Sequence, residues 1–140
     1  MNEDQLYACL ASRRWARAVA AGADPGDAMD SLTDDEWLAA MKAHPRIGER
    51  GGDAPASSER EQSRATQSSR QTLEALAAEN RRYEERFGHV FLIFASGRSG
   101  EEILAELRRR MGNDPATELQ EAKRELRRIA LMRVARLAHA

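Results

Sequence analysis

Apolar positions recur with a helical period along nearly the whole chain. Between residues 3 and 20, Leu6, Cys9, Leu10 and Trp15 stand among polar neighbours and predict an amphipathic helix. The stretch "TDDEWLAAMKA" opens with the capping-box pair Thr33 and Glu36 and offers Trp37, Leu38 and Met41 to a core. The glycine- and proline-containing "GERGGDAPAS" reads as a loop. A long helix is expected from Ser58 to Arg86, closed by Gly88. Another begins at Ser99, with Glu102 as its capping partner, carries Ile103, Leu104 and Leu107, and stops near Gly112. Pro115 sits at a first-turn position and opens a last helix that reaches about Leu137.

One segment breaks the period. "VFLIFA", residues 90 to 95, is a short apolar run of β-branched and aromatic side chains with no second strand to pair with. It is expected to be a buried extended segment between helices. Its backbone N–H and C=O groups then need partners outside any sheet: a polar ligand, ordered water or a helix end.

Length and composition narrow the class. One hundred and forty residues suit a single domain over 1–140, large enough to bury a core without staples. With 41% hydrophobic and 32% charged residues the chain reads as globular. A net charge of -1 disfavours a nucleic-acid or membrane-surface binder, which would carry a basic excess. A lone Cys9 leaves no internal disulfide and no cysteine-rich metal site. No apolar run approaches the ~20 residues needed to cross a bilayer. The opening "MNEDQLYACL" is acidic and unlike a signal peptide, so a cytoplasmic location is expected.

Three polar groups stand out against this pattern. Helix-ending "HPRIG" places His44 before Pro45, and proline alone explains the stop, leaving His44 available for chemistry. In the last helix the apolar stripe runs Leu119, Ala122, Leu126, Ile129 and Leu137. Arg133 falls within about 40° of its stripe neighbours at 100° per residue. A guanidinium there cannot shed its charge, so it needs an anionic partner: a structural ion pair, or a substrate. Extending the stripe of the long helix backwards from Ala65 and Thr72 reaches Glu61, with the amide of Gln62 beside it. Ser58 and Glu61 fit a capping box, yet a first turn can equally hold an anionic or carbonyl ligand. His44, His89 and His139 lack metal-ligand spacing, and neither a phosphate-cradling glycine motif nor a nucleophile elbow is present. If the chain is an enzyme, the expected chemistry uses no metal and no nucleotide.

The ordered motifs "W…HPRIG", "SSEREQS", "RFGHVFLIFASG" and "RRRMGNDPATELQEAKRELRRIALMRVARL" resemble the 2-oxo-4-hydroxy-4-carboxy-5-ureidoimidazoline (OHCU) decarboxylase family of urate degradation. The likeness runs from "LASRRWARAVA" to Leu137. It implies an all-α, single-domain helix bundle, a homodimer without cofactor, and conversion of OHCU to (S)-allantoin. Carried over by position, it implies His44 as the catalytic proton-transfer residue, with Glu61 and Arg133 also catalytic. It further implies Pro45, Ser58, Gln62 and the segment Phe91, Leu92, Ile93, Phe94 and Ala95 at the substrate. Arg46 and the His89-Val90 pair depart from residues common in the family. If Glu61 lies beside His44, its carboxylate is expected to raise the histidine's pKa above ~6.5. The competing readings are a non-catalytic helical interaction module, in which Glu61 and Arg133 form a structural pair, and nucleic-acid binding through the arginines of the last helix. Interleaved Glu118, Glu121 and Glu125 count against the second.

Overall fold

The computed structural model describes residues 1–46 and 69–139. Among them are seven helices and no strand: α1 Glu3–Cys9, α2 Arg13–Ala20, α3 Pro25–Asp30, α4 Asp34–Met41, α5 Arg70–Phe87, α6 Gly100–Arg110 and α7 Pro115–Ala138. The all-α expectation holds, with local corrections.

The helix expected over residues 3–20 is two helices. Leu10 takes an extended conformation and the Ser12 side chain accepts from the Trp15 N–H as a new N-cap. A local side-chain acceptor at Ser12 thus competes with continuation of the helix. Both halves keep the inward residues: Leu6, Cys9, Leu10 and Trp15 are all buried. The short α3, which the apolar pattern does not predict, starts after its N-cap Asp24 with Pro25 in its first turn. It is seated by the Trp15 indole, which donates to the Pro25 carbonyl at 3.0 Å.

Of the long helix expected from Ser58, residues 58–68 lie outside the described residues. Ser69 is an N-cap with extended ψ, its hydroxyl accepting from the Thr72 N–H, so α5 begins at Arg70. Glu61 and Ala65, the first members of the expected stripe, lie outside the described residues. At the other end Gly88, at φ 80°, closes α5 in the left-handed conformation that glycine tolerates. The capping boxes of Thr33 with Glu36 and of Ser99 with Glu102 are both formed.

Packing divides the side chains into two cores. In the first, Leu6, Leu10, Trp15, Met29, Trp37 and Met41 from α1–α4 and their joints meet Ala122, Leu126, Ala130 and Val134 of α7. In the second, Leu76 and Tyr83 of α5 meet Ile103, Leu104 and Leu107 of α6. The run at 90–95 joins them. Leu92 enters the first core, whereas Phe91, Ile93 and Ala95 enter the second. That alternation is the period of two of an extended chain, here outside any sheet.

Candidate active site

The end of α4 builds the loop that carries His44. Ala43 and His44 donate to the carbonyls of Ala40 and Met41, a tight turn that follows the end of α4 at Met41 and leads into Pro45. Two features fix the direction from which α4 arrives. Arg14 grips Glu36 with both Nε and a terminal nitrogen at 2.8 Å, a hydrogen bond that holds the Glu36 carboxyl down to about 2. Lys123 of α7 pairs with Asp34 at the helix start. Beyond Pro45, Arg46 reaches α5 and donates to Glu84 at 2.7 Å. The residue that departs from the family pattern thus ties the His44 loop to α5.

Arg133 is buried at 7% exposure within α7, as its place in the stripe predicts. The fold brings it towards His44. The half-buried imidazole is pushed down to about 4, first by desolvation and then by the positive charge of Arg133. The raised pKa was expected only with Glu61 beside His44; among the described residues the charge acting on His44 is the cation Arg133. Glu61, Ser58 and Gln62 lie outside the described residues. Among the described residues, His44, with Pro45 next to it, feels the charge of Arg133.

A consequence for stability follows by linkage. Above the unfolded pKa of ~6.5 both states hold His44 neutral. As pH falls from there towards 4, the unfolded chain binds a proton that the folded chain refuses, so His44 costs stability progressively in that window. A His44→Gln variant should lose less thermal stability between pH 7 and pH 5 than the parent. Equal losses in the two proteins, measured by scanning calorimetry, would contradict the buried neutral imidazole.

The extended segment finds its partners in side chains, which none of the three expectations named. Arg110 donates to the Leu92 carbonyl at 2.7 Å, and the Phe94 N–H donates to Glu125 at 3.0 Å. Glu125 also pairs with Arg128, whose guanidinium lies 4.8 Å from the Phe94 ring centroid. Phe91, Leu92, Ile93 and Ala95 are buried, and Phe94 is half-buried.

Behind the segment is a polar cluster that the reading of the sequence missed. Arg110 and Glu118, at 2% and 0% exposure, form an ion pair with nitrogen–oxygen distances of 2.5 and 2.9 Å. The Tyr83 hydroxyl donates to the same carboxylate, and Asn113 donates to Glu118 at 3.1 Å and to Glu121 at 2.9 Å. Arg110 also sits 4.4 Å from the centre of the Phe91 ring. Burial works against its charge, but the hydrogen bonds from Arg110 to Glu118 more than offset this and raise its pKa. Burial, reinforced by Glu118, drives the Tyr83 hydroxyl well above its ordinary value, so it stays a donor. The signal was present. Arg110 continues the stripe of Ile103 and Leu107 at spacings of four and three, and Glu118 leads that of Ala122 and Leu126. Glu118 is thus no surface counter-charge to the arginines around it.

Two clefts open elsewhere on the described surface. One of about 240 Å³ lies beside Ile93, Arg98, Glu106, Arg124 and Glu125; the other, of about 360 Å³, lies between Trp37 and α7. Neither is lined by His44 or Arg133. Their walls bring permanent charges but no group that moves a proton near neutrality, so the His44–Arg133 region remains the better candidate for chemistry. Among the described residues no group of three or more His, Cys, Asp and Glu could hold a metal ion, and no helix is long and apolar enough to cross a membrane.

Known proteins match this arrangement over nearly its full length. The sequence model of the family described as OHCU decarboxylase matches residues 2–135. The uric acid degradation bifunctional protein of Arabidopsis thaliana is 33% identical over 98% of this chain, which spans only 47% of that relative's length. The 2-oxo-4-hydroxy-4-carboxy-5-ureidoimidazoline decarboxylase of Amia calva is 32% identical, covering 91% of this chain and 75% of its own. Among solved structures, that of OHCU decarboxylase in the presence of (S)-allantoin superposes with a TM-score of 0.82 at 31% identity, over 98% of this chain and 99% of the other. Crystalline (S)-allantoin synthase shares the fold, with a TM-score of 0.71 at 18% identity over 95% of this chain and 48% of that one. A stripe-buried arginine brought to a helix-ending His-Pro turn, on a fold matched end to end, places the chain in the OHCU decarboxylase family.

Proposed function

We propose that this chain decarboxylates OHCU to (S)-allantoin, with His44 carrying the proton. The observation that carries the reading is the approach of a buried permanent cation, Arg133, to a histidine kept neutral. Family membership and the end-to-end likeness to an OHCU decarboxylase structure support the substrate.

The chemistry suits those two groups. In OHCU one ring carbon bears a carboxylate and a hydroxyl, next to a C=N carbon bearing the ureido group. When CO₂ leaves, its bonding pair forms a C=C bond and the C=N electrons move onto nitrogen, which takes a proton. The result is an enol. The hydroxyl must then lose its proton as the carbonyl forms, and the ureido carbon must gain one on a single face. A neutral imidazole has one accepting and one donating nitrogen, so His44 can take the first proton and help return the second. Arg133 orients the carboxylate and then the oxyanion that develops at the hydroxyl oxygen in this reading. An anionic substrate beside Arg133 also offsets the charge that depresses His44, making the imidazole more basic when it is needed.

The rest of the site is proposed from the resemblance. Glu61 assists as a catalytic carboxylate, Ser58, Gln62 and Pro45 hold the substrate, and the segment Phe91 to Ala95 lies along it. In the same reading the protein acts in the cytoplasm as a homodimer of single-domain chains.

The test is stereochemical. Added to freshly generated OHCU, the protein should produce the circular dichroism of one allantoin enantiomer far faster than the spontaneous reaction. Slow decay to racemic product, at the rate seen without protein, would refute the assignment and leave the helical interaction module as the reading.

A further inference from the structure

Buried polar side chains in this protein have partners almost throughout. Among the described residues, the buried side-chain nitrogen and oxygen atoms without a hydrogen bond are Nδ2 and Oδ1 of Asn80. Asn80 is 2% exposed, in the middle of α5 between Leu76 and Tyr83. A buried carboxamide that bonds to no other protein group is costly unless something else pairs with it, and an apolar residue would fill the place more cheaply. Such a group calls for a partner that comes and goes.

Its direction says which. At 100° per residue Asn80 is turned about 40° from Leu76, and Glu84 is turned about 40° further in the same sense. Leu76 and Tyr83 pack on Phe91 and Ile93, while Glu84 holds Arg46, two residues past His44. Asn80 therefore occupies the seam of α5 between the extended segment and the His44 loop. It stands one turn, roughly 6 Å along the axis, from the residue that anchors that loop.

We infer that the Asn80 carboxamide is a substrate-binding group, pairing its N–H donor and carbonyl acceptor with the amide edge of the ligand's ureido group or ring urea. A urea presents an N–H beside a C=O, which is the complement of a carboxamide, and neither group titrates near neutrality. The inference rests on the OHCU reading above and adds to it the recognition of the urea nitrogen and oxygen. Removing the pair costs binding more than chemistry. The site rejects ligands that lack that edge, because they would leave the carboxamide buried and unpaired.

The experiment compares the parent with Asn80→Leu. The expected result is a KM for OHCU raised roughly tenfold, a kcat changed much less, and a melting temperature unchanged or higher. In the parent, ¹⁵N-labelled protein should show the Asn80 side-chain amide resonances moving on addition of (S)-allantoin. An unchanged KM in a folded Asn80→Leu protein, or Asn80 resonances that stay still while the parent turns over OHCU, would overturn this inference alone. Should Asn80→Leu fail to fold, the resonance shift in the parent decides. A parent with no turnover of OHCU overturns the functional reading, and this inference falls with it.

Discussion

Replacing His44 with alanine is expected to reduce kcat for OHCU by ~10²–10⁴-fold, the range for a positioned proton-transfer group. The fold should survive the change. His44 sits after the end of α4 and only half-buried, so its ring contributes little to either core. Far-UV circular dichroism and the melting temperature at pH 7 should stay close to those of the parent. Below pH 6 the variant should be the more robust of the two, since it no longer carries an imidazole that resists protonation. A kcat within a few-fold of the parent would mean that the proton travels by another group.

The second large effect concerns stability. Arg110→Met is expected to cost about 3–5 kcal/mol, because Glu118 would be left charged and buried with its cation removed. The Leu92 carbonyl would lose its donor at the same time, loosening the extended segment where it is gripped from α6. Arg110→Met combined with Glu118→Leu should recover much of the loss, as removal of both members of a buried pair generally does. Recovery should stay incomplete, since Tyr83 and Asn113 donate to Glu118 and would be left without it. Urea unfolding followed by tryptophan fluorescence measures all three proteins. A single-mutant loss below about 1 kcal/mol would show that water reaches the pair and that it is no core element.

Much of the candidate site was legible from local rules. Pro45 announced the end of α4, and angular counting placed Arg133 inside the last helix, where it is buried. The same counting, applied to Arg110 and Glu118, exposes their buried pair. They were passed over because each stands in a dense charge run, where a solvated face is the ordinary expectation. The break at Ser12 and the start of α5 at Ser69 were hidden for a different reason. A serine hydroxyl can cap a new helix without disturbing the apolar spacing that follows it.

What the chain determines by itself, then, is the inventory of helices, their caps and the faces they bury. These depend on period, proline, glycine and short side-chain acceptors, all of which act within a few residues. Tertiary structure decided three further things. It sent alternate residues of the segment at 90–95 into two cores, and satisfied its backbone with Arg110 and Glu125 where a strand would use a neighbour. It closed Arg110 onto Glu118, which makes a buried charge tolerable only through a partner from another helix. It set the titration of His44, lowered by desolvation and by the charge of Arg133. A histidine's pKa depends on how much water it loses and which charge it faces, and both are properties of atoms that come near only when α4 and α7 pack.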